Sequence, residues 1–185
     1  MDNGLNNYRR FLAGDDEGIV EIIRHYKDGL TLYINGYVNN IFIAEDLMEE
    51  TFFRLLVKKP KFTGKYSFKT WLYTVGRNTA IDYIRHNKRL TVLPNNDFEA
   101  YLLEEQSVER VYLREERKIA VHRALRSLKA EYRQILYLKY FEGFNNSEAA
   151  VIMKKTNRQI ENLAYRARIS LRSELEKGEF FYEEL

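Results

Sequence analysis

Residues 62–89, FTGKYSFKTWLYTVGRNTAIDYIRHNKR, set Phe62, Tyr66, Phe68, Trp71, Tyr73 and Tyr83 beside Lys61, Lys65, Lys69, Arg77, Arg85, Lys88 and Arg89. A core helix calls for the rings without the charges, and a solvated helix for the charges without the rings. A second constellation lies in EGFNNSEAAVIMKKTNRQIENLAYRARISLRSEL. Asn146 can cap a helix containing Glu148, Ala149, Ala150 and Ile152, Lys154-Lys155 make a turn, and Thr156 can cap the next helix through the N–H of residue 158 or 159. Small Ala149 and Ala150 allow close helix approach, and Ile160, Leu163, Ala167 and Leu171 give the second helix an inward stripe. That is a helix-turn-helix plan, whose second helix enters the DNA major groove N-terminus first. Its first turn displays Asn157, Arg158, Gln159, Glu161 and Asn162. Arginine pairs with guanine, asparagine and glutamine with adenine, and glutamate accepts from cytosine. Arg166, Arg168 and Arg172 follow as phosphate partners. The competing reading is a helical hairpin whose polar face is merely wet.

Catalytic chemistry finds no comparable support. His25, His86 and His122 are far apart and lack any His-x-x-x-His or Glu-x-x-His pairing. There is no glycine loop to cradle phosphate and no Gly-x-Ser-x-Gly elbow. With no cysteine, disulfides and thiolate metal sites are ruled out. A chain that binds rather than catalyses, with no cofactor, metal or small-molecule substrate, is expected.

These residues need elements to hold them. Apolar content of 45% and charged content of 31% belong to a globular chain. No apolar run approaches the roughly 20 residues that span a bilayer. The start, MDNGLNNYRRFLAGDDEG, has no signal-like stretch, so a cytoplasmic protein without membrane insertion is expected. Ile19, Ile22, Ile23 and Tyr26 recur at helical spacing after Asp15-Asp16. Ala44, Leu47, Met48, Thr51, Phe52, Leu55 and Leu56 form the clearest amphipathic stripe, ended by Lys59-Pro60. Residues 62–67, with Gly64, read as a loop and 68–87 as a helix whose seam is Phe68, Leu72, Val75 and Thr79. Helical pattern resumes near Ser107 through Val121, Leu125 and Leu128, then again with Ile135, Leu138, Tyr140 and Phe141. Between them, TVLPNNDFEAYLLEEQ carries acids and no Lys or Arg. The expectation is all-α: two small helical domains, 1–90 and 107–178, joined by a flexible acidic linker, 91–106, with a tail at 179–185. In that tail, Phe180, Phe181 and Tyr182 stand among acids, either as a partner contact or as a frayed end.

In order and motif the chain resembles the extracytoplasmic-function sigma factors, which direct bacterial RNA polymerase to promoters. AEDLMEETFFRLL is similar to the family's polymerase-docking helix, residues 62–89 to its promoter-melting segment, and ENLAYRARISLR to the end of its recognition helix. The likeness spans roughly residues 8–175. The chain departs from the family pattern at Lys154, where a turn glycine is usual, at Glu161, where a basic residue is frequent, and at Glu49, where an amide is usual.

The resemblance implies a transcription initiation factor whose partners are core RNA polymerase, promoter DNA and an anti-sigma factor. Glu45, Asp46, Glu49, Glu50 and Arg54 would form the polymerase-docking face. Phe62, Lys65, Tyr66, Ser67, Trp71, Arg77, Asn78, Arg85, Lys88 and Arg89 would meet minus-ten DNA, with Tyr66 covering a flipped base and Asn78 holding one. Arg85, Lys88 and Arg89 would meet the duplex backbone. Trp71 has a second reading, as a core wedge against the docking helix. Lys155, Thr156, Asn157, Arg158, Gln159, Glu161, Asn162 and Arg166 would meet the minus-35 element. Rings suit a segment that must hold unpaired bases, because flipping a base costs a few kcal/mol and stacking returns about 1–3. Two rivals stand beside this reading: an ordinary helix-turn-helix regulator, and a helical adaptor that binds no DNA. The adaptor has no use for rings beside cations, and the regulator has none for the docking helix.

Overall fold

The computed structural model describes residues 3–87, 121 and 123–177. The acidic linker, Lys88, Arg89, His122 and the tail at 179–185 lie outside the described residues. Every element among the described residues is helical. The first unit is α1 (Asn3–Leu12), α2 (Glu17–Val38), α3 (Ile41–Lys58) and α4 (Phe68–His86). The second holds helical residues 123–127, then α5 (Ala130–Leu136), a π-helical turn (Tyr137–Phe141), α6 (Asn146–Met153) and α7 (Asn157–Lys177). The units touch, α4 against α6 and α2 against α5.

Local chemistry sets the helix ends. Asp15, rather than Asp16, supplies the acceptor at the start of α2, its Oδ1 taking the Glu17 N–H at 3.1 Å. Asn40 caps α3 through the Ile43 N–H at 3.1 Å, and Ser67 caps α4 through the Thr70 N–H at 3.1 Å. Helix α3 stops where Lys59 turns left-handed at φ 41°, and Pro60 cannot extend it.

The expected α3 stripe holds for Ala44, Leu47, Thr51, Phe52 and Leu55, all buried, with Met48 half-buried. Thr51 tolerates this because its hydroxyl donates to the Leu47 carbonyl at 2.7 Å. Leu56 departs from the stripe and is 38% exposed. At about 100° per residue it lies roughly 100° from the stripe's centre, so Leu55 takes the core position. The second departure is at Tyr140 and Phe141, 55% and 50% exposed. The π-helical turn there shifts the register by one residue and rotates both rings off the face that buries Ile135 and Leu138.

The crossing of α1 and α2 depends on Gly18, where an added Cβ would lie 2.3 Å from the Asn7 carbonyl oxygen and 2.8 Å from the Phe11 nitrogen. Backbone atoms cannot swing aside as a side chain would. Gly18→Ala is therefore expected to lower unfolding free energy by about 1–3 kcal/mol, although alanine is the better helix former. Urea denaturation checks this, and unchanged or raised stability would contradict the close approach.

Candidate functional site

The ring-and-cation segment divides once its packing is known. Phe68 is fully buried, with the Tyr8, Tyr26, Phe62 and Trp71 ring centroids 5.4–6.1 Å away. Trp71 also meets Tyr8 at 5.4 Å and Phe62 at 5.5 Å, so its ring packs towards α1. Tyr73 is fully buried and Tyr83 half-buried. Tyr66 alone among the segment's rings is an exposed one, at 41%. It stands on the loop that Gly64 bends at φ 73°, with Lys65 Nζ 5.4 Å from its ring centroid. Ser67, next along, is occupied as the α4 cap.

Along α4, Arg77 lies half-buried against the Tyr33–Tyr37 hydroxyl pair, which are 2.8 Å apart. Burial pushes the Tyr37 pKa up, while the Tyr33 bond and the Arg77 charge pull against it. Arg77 is thereby tied to the core. Asn78 is half-buried, seven residues beyond Trp71 and so on the same side of the helix. Arg85 is exposed near the helix end, where its charge also complements the dipole.

The expected docking residues gather at a groove between α2 and α3. Glu45, Asp46, Glu49 and Glu50 line it with Met48, Phe53 and Leu56, and α2 supplies Ile23, Lys27, Asp28 and Thr31. Arg54 Nε sits 2.7 Å from Glu50 Oε1, an ion pair one turn apart on the same face. Sequence reasoning missed the apolar part of this face. Phe42, Phe53 and Val57 are 56%, 58% and 62% exposed, on the side of α3 away from the stripe. Their signal was present: large apolar residues half a turn out of phase with a complete core stripe.

The second unit forms the expected helix-turn-helix with one correction. Asn145, not Asn146, caps α6, in a reciprocal box with Glu148: Asn145 Oδ1 accepts the Glu148 N–H and Glu148 Oε2 accepts the Asn145 N–H, both at 3.0 Å. An identical residue stands next door, and Gly143 and Phe144 decide which of the two meets the helix end. Asn146 instead accepts from Lys139 Nζ and donates to Glu161 Oε1. Thr156 caps α7 as expected, accepting the Gln159 N–H at 3.2 Å, while Gln159 Oε1 accepts the Thr156 N–H at 2.8 Å. The Gln159 carbonyl is thus engaged in the cap, leaving its NH₂ for other partners. Asn157 Nδ2 reaches Ser147 Oγ at 3.4 Å. Arg158 and Asn162 are exposed on the outer face, and Lys155, Gln159, Asn162, Leu163 and Arg166 line a shallow groove beside it. Further along, Arg168 reaches the Tyr140 hydroxyl at 3.4 Å, and Arg172 pairs with Glu176 at 2.8 Å.

Residues 22–90 match the Sigma-70 region 2 family and residues 118–171 the Sigma-70, region 4 family. The chain belongs to the sigma-70 family, as an extracytoplasmic-function sigma factor. It is 31% identical over 160 residues to the ECF RNA polymerase sigma factor BldN of Streptomyces coelicolor, covering 85% of this chain and 60% of that one. With the ECF RNA polymerase sigma factor SigM of Bacillus subtilis it shares 29% over 161 residues, covering 86% of this chain and 96% of the relative. The fold is that of CnrH, solved with the cytosolic domain of CnrY (TM-score 0.67, 18% identity, 95% of this chain and 99% of that one). It also matches RpoE, solved with the anti-sigma factor NepR from Bartonella quintana (TM-score 0.63, 21% identity, 84% and 95%).

The sigma factor's geometry also accounts for one departure from the family pattern. Lys154 ends α6 in the left-handed region at φ 55°, a conformation that strains any side chain. Glycine suits that position and lysine tolerates it at a cost. Lys154→Gly is accordingly expected to stabilise the fold by about 1 kcal/mol, raising the urea midpoint. A midpoint that falls would mean the Lys154 side chain holds a contact worth more than the strain.

Proposed function

We propose that this sigma factor docks core RNA polymerase through the acid-and-ring face of α3, reads a minus-35 element with α7, and captures melted minus-ten bases at the start of α4. Residues 1–90 serve docking and melting, and 107–178 serve minus-35 recognition. The observation that carries the reading is Tyr66: a single exposed ring, flanked by Lys65, on a loop fixed by a glycine bend and a serine cap. Such a ring can stack on an unpaired base while the ammonium holds its phosphate. Asn78 supplies the amide for base identity, Arg85 the duplex phosphates, and Phe62 and Trp71 the wall behind the base. In the minus-35 element Arg158 and Asn162 read base edges, Arg166 and Lys155 hold phosphate, and the Asn157, Gln159 and Glu161 side chains order the helix start.

The chain supplies binding energy and the polymerase supplies catalysis, so the sigma factor is not itself an enzyme. It acts in the cytoplasm, where polymerase works; no described helix is long and apolar enough to cross a membrane. An anti-sigma protein is its proposed regulator, in keeping with the complexes in which CnrH and RpoE were solved.

Two experiments test these assignments. Asp46→Arg with Phe53→Ala changes only exposed groups, so the fold should survive while core polymerase affinity falls at least roughly tenfold, or about 1.4 kcal/mol. A pull-down with folded double mutant that retains wild-type binding rejects this face. Asn78→Ala and Tyr66→Ala should both form holoenzyme yet show weak permanganate reactivity on a duplex promoter. A preformed bubble should partly rescue both, because the unpairing cost has then been met. Normal footprints from both variants on duplex DNA would remove the melting role.

A further inference from the structure

A cavity of about 60 Å³ lies between α2 and α5, and no residue lining it is assigned above to polymerase or DNA. Its apolar side is made by Leu32, Leu125 and the rings of Tyr33 and Tyr137. Both hydroxyls are already engaged, Tyr33 with Tyr37 at 2.8 Å and Tyr137 with Glu142 Oε1 at 3.2 Å. The polar side is made by Asn35, Arg133 and Gln134, and each has a group left over. Asn35 Oδ1 and Arg133 Nε are buried without a hydrogen-bond partner. The Gln134 side chain is 5% exposed, and its amide has no partner among the described residues. Buried polar groups are ordinarily bonded, so three of them around one cavity point to a molecule that bonds them.

Arg133 sets the charge of that molecule. Its Nη1 donates to the Arg126 and Leu128 carbonyls at 2.8 and 3.1 Å, and its Nη2 to the Gly36 carbonyl at 3.4 Å. These acceptors are neutral. Glu131, two residues away, is held by Lys155 at 3.0 Å, and no carboxylate among the described residues pairs with this guanidinium. Burial, then the Arg126 charge, pulls the Arg133 pKa down, as happens to a cation that nothing nearby offsets. Buried charges are stable only when paired, so the ligand is an anion. Asn35 sets its second group. An acceptor oxygen needs a donor, and an ammonium would stand beside both Arg126 and Arg133, so the donor is a hydroxyl. A water needs at least about 10–15 Å³ of such space, so this cavity admits roughly four to six non-hydrogen atoms.

We propose that this cavity binds a small 2-hydroxycarboxylate of the glycolate or lactate class, with its carboxylate on Arg133 Nε and the Gln134 amide and its hydroxyl on Asn35 Oδ1. The short carbon body lies against Leu32 and Leu125. The site is independent of the promoter-binding reading. Because such a ligand binds the folded chain alone, it also raises thermal stability by mass action.

The test titrates the full chain at fixed ionic strength with sodium glycolate and, separately, with sodium acetate, which lacks only the hydroxyl. The side-chain amide resonances of Asn35 and Gln134 report binding, and the melting temperature gives a second readout. Glycolate should shift both resonances saturably, bind roughly tenfold tighter than acetate, and raise the melting temperature. Asn35→Leu keeps the shape and favours helix, so the fold should survive. It should weaken glycolate about tenfold while leaving acetate within about threefold. Gln134→Met should weaken both acids, since each presents the same carboxylate. Shifts that never saturate with either acid mean that ordered water alone meets these groups, and they overturn the site. Equal affinity for the two acids, or equal losses from Asn35→Leu, overturns the hydroxyl assignment and with it the proposed class.

Discussion

Phe68 is the contact on which the first unit turns. Its ring is fully buried and touches α1 through Tyr8, α2 through Tyr26, the preceding loop through Phe62 and its own helix through Trp71. Full burial of one such side chain contributes about 1.5–3 kcal/mol, and each favourable ring pair adds about 0.5–1.5 beyond area. Gly4 lets α1 come close enough to complete the cluster, since a Cβ there would stand 2.5 Å from the Phe68 ring. The consequence is functional. Because Phe68 is the first residue of α4, the loop carrying Tyr66 leaves from an immobile point, and Ser67 caps the helix at that same point.

A division of labour on each helix follows from this anchoring. Helix α4 gives one seam to the core, through Phe68, Leu72, Tyr73, Gly76 and Ala80, which leaves Asn78 and Arg85 at its margins. Helix α3 buries its own stripe and turns acids and rings outward together. Docking by that face combines steering by charge with desolvation of Phe53, and apolar burial of this kind sets lifetime more than encounter rate. On α7, the cap made by Thr156 and Gln159 fixes the helix start, and only the residues free of that duty can follow base edges. Affinity from Arg166 and Arg158 would then be positioned by a rigid, capped turn rather than by a mobile loop.

How much of this was legible in the sequence depended on the range of the cause. The α3 stripe, the Lys59-Pro60 stop, the Ser67–Phe68 helix start and the Thr156 cap are local, and each could be read from neighbours a few residues away. The allocation of rings was not local. Whether Trp71 is a wall or a free face depends on Tyr8, which lies far upstream, while Tyr66 is left 41% exposed. The choice of Asn145 over Asn146 as cap turns on the path of Gly143, with φ 72°, which residue types alone do not fix. Glu142 meets Lys69 at 2.9 Å and sits against Gly29 through tertiary packing alone, a contact that left no periodic or spaced signal. Arg77 belongs with these cases, a cation drawn inward by a tyrosine pair on another helix.

As a sigma factor, this chain converts core RNA polymerase into an enzyme that starts at chosen promoters. The most direct measurement is transcription reconstituted from purified core polymerase, this protein and the DNA upstream of its own gene. If the chain does so, a discrete run-off transcript that requires it and starts at one position is expected. Transcription from core polymerase that is unaltered by adding the folded chain, on that DNA and on a library of random upstream sequences, would contradict it.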